Sequence, residues 1–148
     1  MASTYLSLHY HLVFSTKNRE PSIATEWRKA LHDYLAGTIS GVGGFPQGVG
    51  GVADHVHLLA GLRATHCLAD IMRDLKKSSS LWVHKHIGLK SFAWQEGYAA
   101  FTVSATAREG VQSYIANQED HHRTKSSREE LIEMLTKSGV DHHAEYLD

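Results

Sequence analysis

The chain has 148 residues, of which 42% are hydrophobic and 21% are charged. This length and composition predict one globular domain over residues 1–148 and exclude disordered and fibrous classes. Fifteen Lys and Arg residues and sixteen Asp and Glu residues give a net charge of −1, which excludes a uniformly basic nucleic-acid-binding surface but allows a local basic patch.

The sequence lacks the signals of several other protein classes. Cys67, the single cysteine, has no partner for an internal disulfide and no second thiol for a cysteine-based zinc site. No apolar run approaches the roughly 18 residues that a membrane span needs, and the first residues lack a signal-peptide pattern. The glycine-rich stretch contains no phosphate-binding GK[ST] motif. We therefore expect a cytoplasmic protein with no membrane association and no nucleotide cofactor.

Hydrophobic periodicity predicts eight regular elements along the chain. In chain order they are a strand over residues 5–15, a helix from Thr25 to Gly37 or Gly41, a short strand that ends near Val52 after a glycine-rich loop, a strand over 54–62, a helix over 68–87, a strand over 92–104, and helices over 108–119 and 128–137. The order β-α-β-β-α-β followed by helices predicts an α+β fold of the ferredoxin-like or RRM-like type. We expect one antiparallel sheet with helices on one face, and a C-terminal helix that carries Tyr114.

Two histidines stand two residues apart in the strand predicted over residues 54–62. Side chains at i and i+2 of a strand point to the same face, so His55 and His57 can reach one metal ion while Val56 points into the core. The same pattern is also typical of two surface histidines on a polar sheet face. By itself it predicts only a candidate site.

A tyrosine and a glutamine stand four residues apart in the helix predicted over residues 108–119. Residues at i and i+4 share a helix face, so Tyr114 and Gln118 would present a phenol and an amide oxygen together. A half-buried tyrosine beside a solvent-facing glutamine would have the same spacing. Combined with His55 and His57, however, Gln118 would supply part of the ligand shell of a divalent cation. Tyr114 would then be able to attack a phosphate bound there.

The middle of the chain is basic, with six Lys or Arg residues against two Asp residues over 63–90. One face of the long helix carries Arg73, Lys76 and Lys77, with Lys85 further on. This face either contacts DNA phosphates or is an ordinary solvated helix face. Four aromatic residues either stack on unpaired bases or build the core: Phe92, Trp94, Tyr98 and Phe101.

Two further pairs of histidines have two interpretations each. His9 and His11 share one face of the first strand. They either approach His55 and His57 across the sheet or form hydrogen bonds within the sheet. His121 and His122 follow the tyrosine helix and either cap its last carbonyl groups or border the candidate site.

Six segments of the chain together carry a family resemblance: HYHLVFSTKNR, DHVHLL, IMRDLKKSSSLWV, FAWQEGYAAFTVS, VQSYIANQEDHHR, and EELIEMLTKSGVD with the closing EYLD. In this order they resemble the single-tyrosine HUH transposases of the insertion-sequence-200-like group and their relatives associated with repeated extragenic palindromes. The segments cover nearly the whole chain. The chain departs from the family pattern in two places. Ala53 stands where many relatives have Pro. TKSSREE replaces a more apolar segment, on which the docking of the last helix depends.

The resemblance implies a role for each candidate residue. It implies that His55, His57 and Gln118 hold Mg²⁺ or Mn²⁺, and that Tyr114 is the nucleophile. It implies a single-stranded DNA substrate with a hairpin near each element end, which is cleaved to a 5′-phosphotyrosine and a free 3′-hydroxyl and later rejoined. It also implies a homodimer.

Two other functions stay open at this point. The chain would be a domesticated protein that binds single-stranded or hairpin DNA if it had kept the fold and lost catalysis. The presence of all four candidate site residues disfavours this: His55, His57, Tyr114 and Gln118. It would be a metal-dependent phosphodiesterase if water, rather than Tyr114, attacked the phosphate.

Overall fold

Four strands form one antiparallel sheet in the computed structural model, which describes residues 3–143, 145 and 147. They are β1 (His9–Ser15), β2 (Phe45–Gly51), β3 (His55–Gly61) and β4 (Ala99–Val103). Their order across the sheet is β2-β3-β1-β4, and each neighbouring pair is antiparallel. The crossover connections between these strands give a ferredoxin-like arrangement, so the predicted α+β class is confirmed.

The described residues contain five α-helices. They are α1 (Thr25–Gly41), α2 (Leu68–Trp82), α3 (Arg108–Ala116), α4 (Gln118–His121) and α5 (Ser127–Lys137). A π-helical segment, Val83–Ile87, extends α2 and ends at Gly88, whose φ of 82° is in the left-handed region that glycine favours. None of the described helices combines the length and the apolar character needed to cross a membrane.

Alternation along the central strands sends their apolar side chains toward α1 and α2. Leu12 and Phe14 of β1 and Val56 and Leu58 of β3 are almost completely buried on this face. The residues that cover them are Leu31, Leu35 and Ile39 of α1, with Ile71, Met72 and Leu75 of α2. Each such side chain contributes about 1.5–3 kcal/mol when it leaves water, so this layer is the main hydrophobic core.

The opposite face of the sheet is covered by the chain that follows β4. Ile115 of α3 packs there against Leu59 of β3 and Val103 of β4. The predicted placement of helices on one face therefore holds for the crossover helices α1 and α2. The tyrosine-bearing helix α3 occupies the other face, where the period-two pattern puts the histidines of β1 and β3.

Three strands begin several residues away from the positions that periodicity predicts. β1 begins at His9 rather than near residue 5. β2 starts already at Phe45, in a stretch predicted mostly as loop, because pairing with β3 holds its glycines in an extended conformation. β4 begins only at Ala99, since the irregular stretch before it sends Phe92 and Trp94 into the core. These two aromatic residues therefore build the core and are not available to stack on bases.

Helix α3 approaches the backbone of β2 very closely at Gly50. A Cβ atom on Gly50 would lie 2.1 Å from the carbonyl oxygen of Ile115, a separation that real Cβ atoms essentially never show. Glycine at this position therefore lets the tyrosine-bearing helix rest directly on the sheet.

Gly50→Ala should push α3 away from β2 and lower the free energy of unfolding by about 1–3 kcal/mol, the usual cost of overpacking a tight contact. Gly48→Ala in the same strand is the matched control, because its Cβ would meet only side-chain atoms, at 3.8 Å and beyond. Urea unfolding of the two variants measures the difference. Equal stability of the two variants would contradict the close approach at Gly50.

Candidate active site

β3 places His55 and His57 side by side on the face of the sheet that α3 covers. Their ring centroids lie 5.0 Å apart, and the side chains are 1% and 0% exposed. Val56, between them, lies in the hydrophobic core on the other face. The predicted shared face is therefore correct, and the alternative of two surface histidines is wrong.

A carboxylate and a third histidine fix the orientation of the two rings. Asp54 Oδ1 lies 2.7 Å from His55 Nδ1, and His11 Nε2 lies 2.7 Å from His57 Nδ1. These hydrogen bonds occupy Nδ1 and leave Nε2 of each ring for another partner. Outer partners of this kind orient the imidazole ligands of metal sites.

Tyr114 and Gln118 reach the histidines from the chain that follows β4. α3 ends before Asn117, whose φ of −103° and ψ of 26° separate it from α4, so the single continuous helix predicted here is wrong. Gln118 Oε1 nevertheless lies 3.1 Å from His55 Nε2. The ring centroid of Tyr114 lies 5.9 Å from that of His57 in the same chain. The four residues predicted from the sequence are thus brought together.

An acidic residue that was not predicted from the sequence joins these groups. Glu130 of α5 is only 3% exposed, and its Oε1 lies 3.2 Å from His55 Nε2 and 2.9 Å from His57 Nε2. Its Oε2 accepts hydrogen bonds from the Tyr114 hydroxyl and from Gln118 Nε2. The buried stripe of α5 consists of Ser127, Glu130, Leu131 and Leu135. A carboxylate in such a stripe needs buried partners, and this is the signal that would have identified it.

Of the remaining histidines, His122 borders the site, whereas His9 pairs elsewhere. His122 Nε2 lies 3.0 Å from Gln118 Oε1 and 3.3 Å from Glu130 Oε1. The interpretation that His122 borders the site is therefore correct. His9 Nδ1 lies 3.0 Å from Gln47 Oε1 of β2. His9 therefore belongs to the sheet surface rather than to the site.

The donor atoms of the cluster have the spacing of ligands around one cation. His55, His122 and Glu130 each offer one ligand atom, and these three atoms lie within 4.8 Å of one another. His57 Nε2 lies 2.9 Å from Glu130 Oε1, and Gln118 Oε1 lies 3.1 Å from His55 Nε2, so each of these two donors contacts one member of that group. Ligands about 2.1 Å from an octahedral ion are about 3 Å apart when they meet at right angles. The cluster is thus a possible metal-binding site, and its nitrogen and oxygen donors fit a divalent cation.

Burial and hydrogen bonding set the protonation of these groups. Burial acts to lower the pKa of His55, but hydrogen bonds to Asp54 and Glu130 outweigh it and raise the pKa to about 9. Burial also lowers the pKa of His11 to about 3, so this ring is neutral. For Tyr114, burial and the hydrogen bond to Glu130 both raise the pKa above its ordinary value. The phenol is therefore protonated at neutral pH and needs a proton acceptor or a nearby cation to act as a nucleophile.

The four basic residues predicted to bind DNA lie away from this cluster. They belong to α2 and the π-helical segment after it, on the other side of the sheet. Arg73 pairs with two acidic residues of its own helix. Lys76 Nζ donates to the carbonyl oxygens of residues 95–97 and so holds the connection that precedes β4. Lys77 and Lys85 are exposed.

Asp54→Asn should weaken Mn²⁺ binding about 10- to 100-fold, because His55 would lose the carboxylate that orients its ring. Isothermal titration calorimetry with Mn²⁺ measures this change. Asp33→Asn is the control, since Asp33 is an exposed residue of α1 that pairs only with Lys29 among the ion pairs found in the described residues. An unchanged Mn²⁺ affinity in Asp54→Asn would contradict the orienting role.

This chain is similar to known transposases. A family model described as "Transposase IS200 like" matches residues 4–118. The transposases of insertion sequence IS200 from Salmonella typhimurium and Salmonella typhi are each 27% identical over 124 residues, which covers 80% of this chain and 81% of theirs.

Two solved structures have a similar fold. A crystal structure described as a transposase from Deinococcus radiodurans is 27% identical and has a TM-score of 0.63 over 80% of this chain and 96% of that one. A REP-associated tyrosine transposase bound to a REP hairpin is 15% identical and has a TM-score of 0.55 over 78% of this chain and 70% of that one. The second likeness concerns the fold alone.

The matched family region contains His55, His57, Tyr114 and Gln118, whereas Glu130 lies beyond it. The match extends over most of the chain, and the relatives of similar sequence and length are transposases. The resemblance stated from the sequence is therefore confirmed. The chain belongs to the IS200-like transposase family and is a DNA-processing enzyme that acts in DNA recombination.

Proposed function

We propose that this transposase nicks and rejoins single-stranded DNA at hairpin-bearing element ends through a 5′-phosphotyrosine on Tyr114. The observation that carries the proposal is a convergence of four side chains on Glu130. The Tyr114 hydroxyl and the Gln118 amide donate to one carboxylate oxygen, and the Nε2 atoms of His55 and His57 face the other. A nucleophile beside a candidate cation site is the arrangement that phosphoryl transfer to a tyrosine requires.

His55, His57 and Gln118 would hold Mg²⁺ or Mn²⁺ in this scheme. The bound cation would polarise the scissile phosphate and offset the charge of the phenolate. Deprotonating a free tyrosine at neutral pH costs roughly 4 kcal/mol. Burial raises the pKa of Tyr114 further, so its hydroxyl depends on positive charge beside it.

The bond changes follow from the identity of the nucleophile. Tyr114 Oη would lose its proton to water and attack the phosphorus, so that an O–P bond forms and the bond from phosphorus to the 3′ oxygen breaks. The 3′ oxygen leaves and takes up a proton, while the 5′ phosphate stays on the tyrosine. The phosphotyrosine keeps the energy of the broken bond. A 3′-hydroxyl can therefore attack it later and rejoin two strands without ATP.

The proposed substrate is hairpin-bearing single-stranded DNA, and the proposed assembly is a homodimer. Hairpin recognition is supported by the neighbouring structure of a tyrosine transposase with a REP hairpin. Two element ends must be cut and joined, which two copies of Tyr114 would accomplish. Arg73, Lys77 and Lys85 have exposed side chains and are the proposed phosphate contacts. In this proposal residues 1–148 act as one catalytic unit in the cytoplasm.

Tyr114→Phe should abolish the covalent protein–DNA adduct, because the substitution removes only the reacting oxygen. The assay incubates labelled single-stranded element ends with Mn²⁺ and detects a slowly migrating adduct on a denaturing gel. Tyr34→Phe is the matched control, since this tyrosine of α1 stacks on Trp82 in the other layer of the fold. It should form the adduct at the wild-type rate.

Two results of the same assay would contradict the proposed function. Cleavage by Tyr114→Phe without an adduct would identify a phosphodiesterase that uses water. Hairpin binding by the wild-type protein without cleavage, in Mg²⁺ and in Mn²⁺ across a range of hairpins, would identify a DNA-binding protein that has lost catalysis.

Removal of divalent cations with EDTA should abolish adduct formation, and added Mg²⁺ or Mn²⁺ should restore it. Hairpin affinity, measured by fluorescence anisotropy, should change much less, since phosphate contacts by Lys and Arg do not need the ion. Adduct formation at the full rate in EDTA would contradict the role assigned to the cation.

A further inference from the structure

Glu130 lies beyond the region that matches the family model, which ends at residue 118, yet its carboxylate is at the centre of the candidate site. Its two oxygens face different groups. Oε1 lies 2.9 Å from His57 Nε2 and 3.2 Å from His55 Nε2. Oε2 accepts hydrogen bonds from the Tyr114 hydroxyl and, at 3.2 Å, from Gln118 Nε2. One side chain thus joins the candidate ligands to the candidate nucleophile.

Polar contacts at the start of α5 hold this carboxylate in place. Ser127 Oγ donates to Asp54 Oδ2 at 3.0 Å and accepts from Arg19 Nη1 at 2.8 Å. Arg19 has a φ of 54°, in a region that costs a non-glycine residue about 1–3 kcal/mol. A capping box at Ser126 fixes the first turn of the helix. The docking of α5 therefore sets the position of Glu130 relative to β3.

We propose that Glu130 is a positioning residue that bridges the cation and the nucleophile. In this role Oε1 is a further ligand of the ion held by His55 and His57, and Oε2 orients the Tyr114 hydroxyl toward that ion. The inference rests on the proposed function and adds to it a residue of α5. A planar carboxylate that contacts both partners fixes their separation.

Tyr114 needs a partner that fixes the orientation of its hydroxyl. A phenol turns about two side-chain dihedral angles, and this ring is only partly buried. The ring of His121, with its centroid 4.4 Å away, limits the plane of the phenol, and Glu130 Oε2 then fixes the hydroxyl. Attack on phosphorus requires the reacting atoms to be held about 3–3.5 Å apart in the correct direction. The bridge would supply this constraint.

A different role for Glu130 makes opposite predictions. A carboxylate that merely blocks the site would have to leave before the ion and the DNA phosphate bind. Removing its charge would then leave Mn²⁺ affinity unchanged or increase it, and adduct formation would become faster. Removing the charge of a bridge has the reverse effect on both quantities.

The test measures Mn²⁺ affinity by calorimetry and the adduct rate at saturating Mn²⁺ for the wild-type protein and three variants. Glu130→Gln should weaken Mn²⁺ binding at least about 10-fold and slow adduct formation about 100-fold. Glu130→Asp keeps the charge on a shorter side chain, so it should recover part of the Mn²⁺ affinity but little of the adduct rate. Glu133→Gln is the control on the same helix, since Glu133 pairs with Lys125 and Lys137 at the surface. It should match the wild type in both measurements.

Wild-type Mn²⁺ affinity and adduct rate in Glu130→Gln would overturn the inference, and so would an increase in either. Thermal unfolding shows whether this variant is folded. If it is not, Glu130→Asp decides, because equality with the wild type in both measurements would show that the reach of the carboxylate does not matter. A merely structural residue would change stability without a selective change in Mn²⁺ affinity.

The two halves of the test separate this inference from the proposed function. If the wild-type protein forms no adduct with any single-stranded end, the proposed function fails. The Mn²⁺ titrations need no DNA, and they still decide whether Glu130 contacts the ion.

Discussion

The buried carboxylate of Glu130 and the imidazoles around it determine how the C-terminal helices meet the sheet. A carboxylate removed from water is unstable unless charged or hydrogen-bonded partners surround it. His55, His57 and His122 supply these partners through their Nε2 atoms. Although burial acts to raise the pKa of Glu130, these imidazoles hold it well below its usual range. These contacts therefore favour docking of helix α5 where its carboxylate reaches the imidazoles.

The pleat of β3 gives the two faces of the sheet different chemistry. His55, His57 and Leu59 face the C-terminal helices, while Val56 and Leu58 face the core under α1 and α2. A slip of one residue would place two imidazoles in the apolar layer, so core packing strongly disfavours it. Pairing with β1 on one side and β2 on the other sets the same register. The packing that stabilises the fold thus also aligns the site.

Features that depend on local periodicity were predictable from the sequence, and those that depend on distant contacts were not. The order of the elements, the shared face of His55 and His57, and the proximity of Tyr114 and Gln118 follow from spacing alone. Glu130 was missed because its contact with His57 spans 73 positions of the chain. Likewise, spacing placed Lys76 on a basic helix face that either contacts DNA phosphates or is solvated, but its ammonium group binds carbonyl oxygens some 20 residues later.

The break at Asn117 shows that Gln118 can reach the predicted site even though the continuous helix predicted around it is wrong. The turn between α3 and α4 redirects the chain, so that Gln118 and His122, one helical turn apart, both face the site.

The apolar cluster that holds α3 on the sheet is small, being centred on Leu59, Val103 and Ile115. Polar contacts therefore contribute much of the docking. A cation bound by residues from both the sheet and these helices would stabilise the docked arrangement by RT ln(1 + [L]/Kd). Assembly of the site and binding of the ion are then one coupled equilibrium.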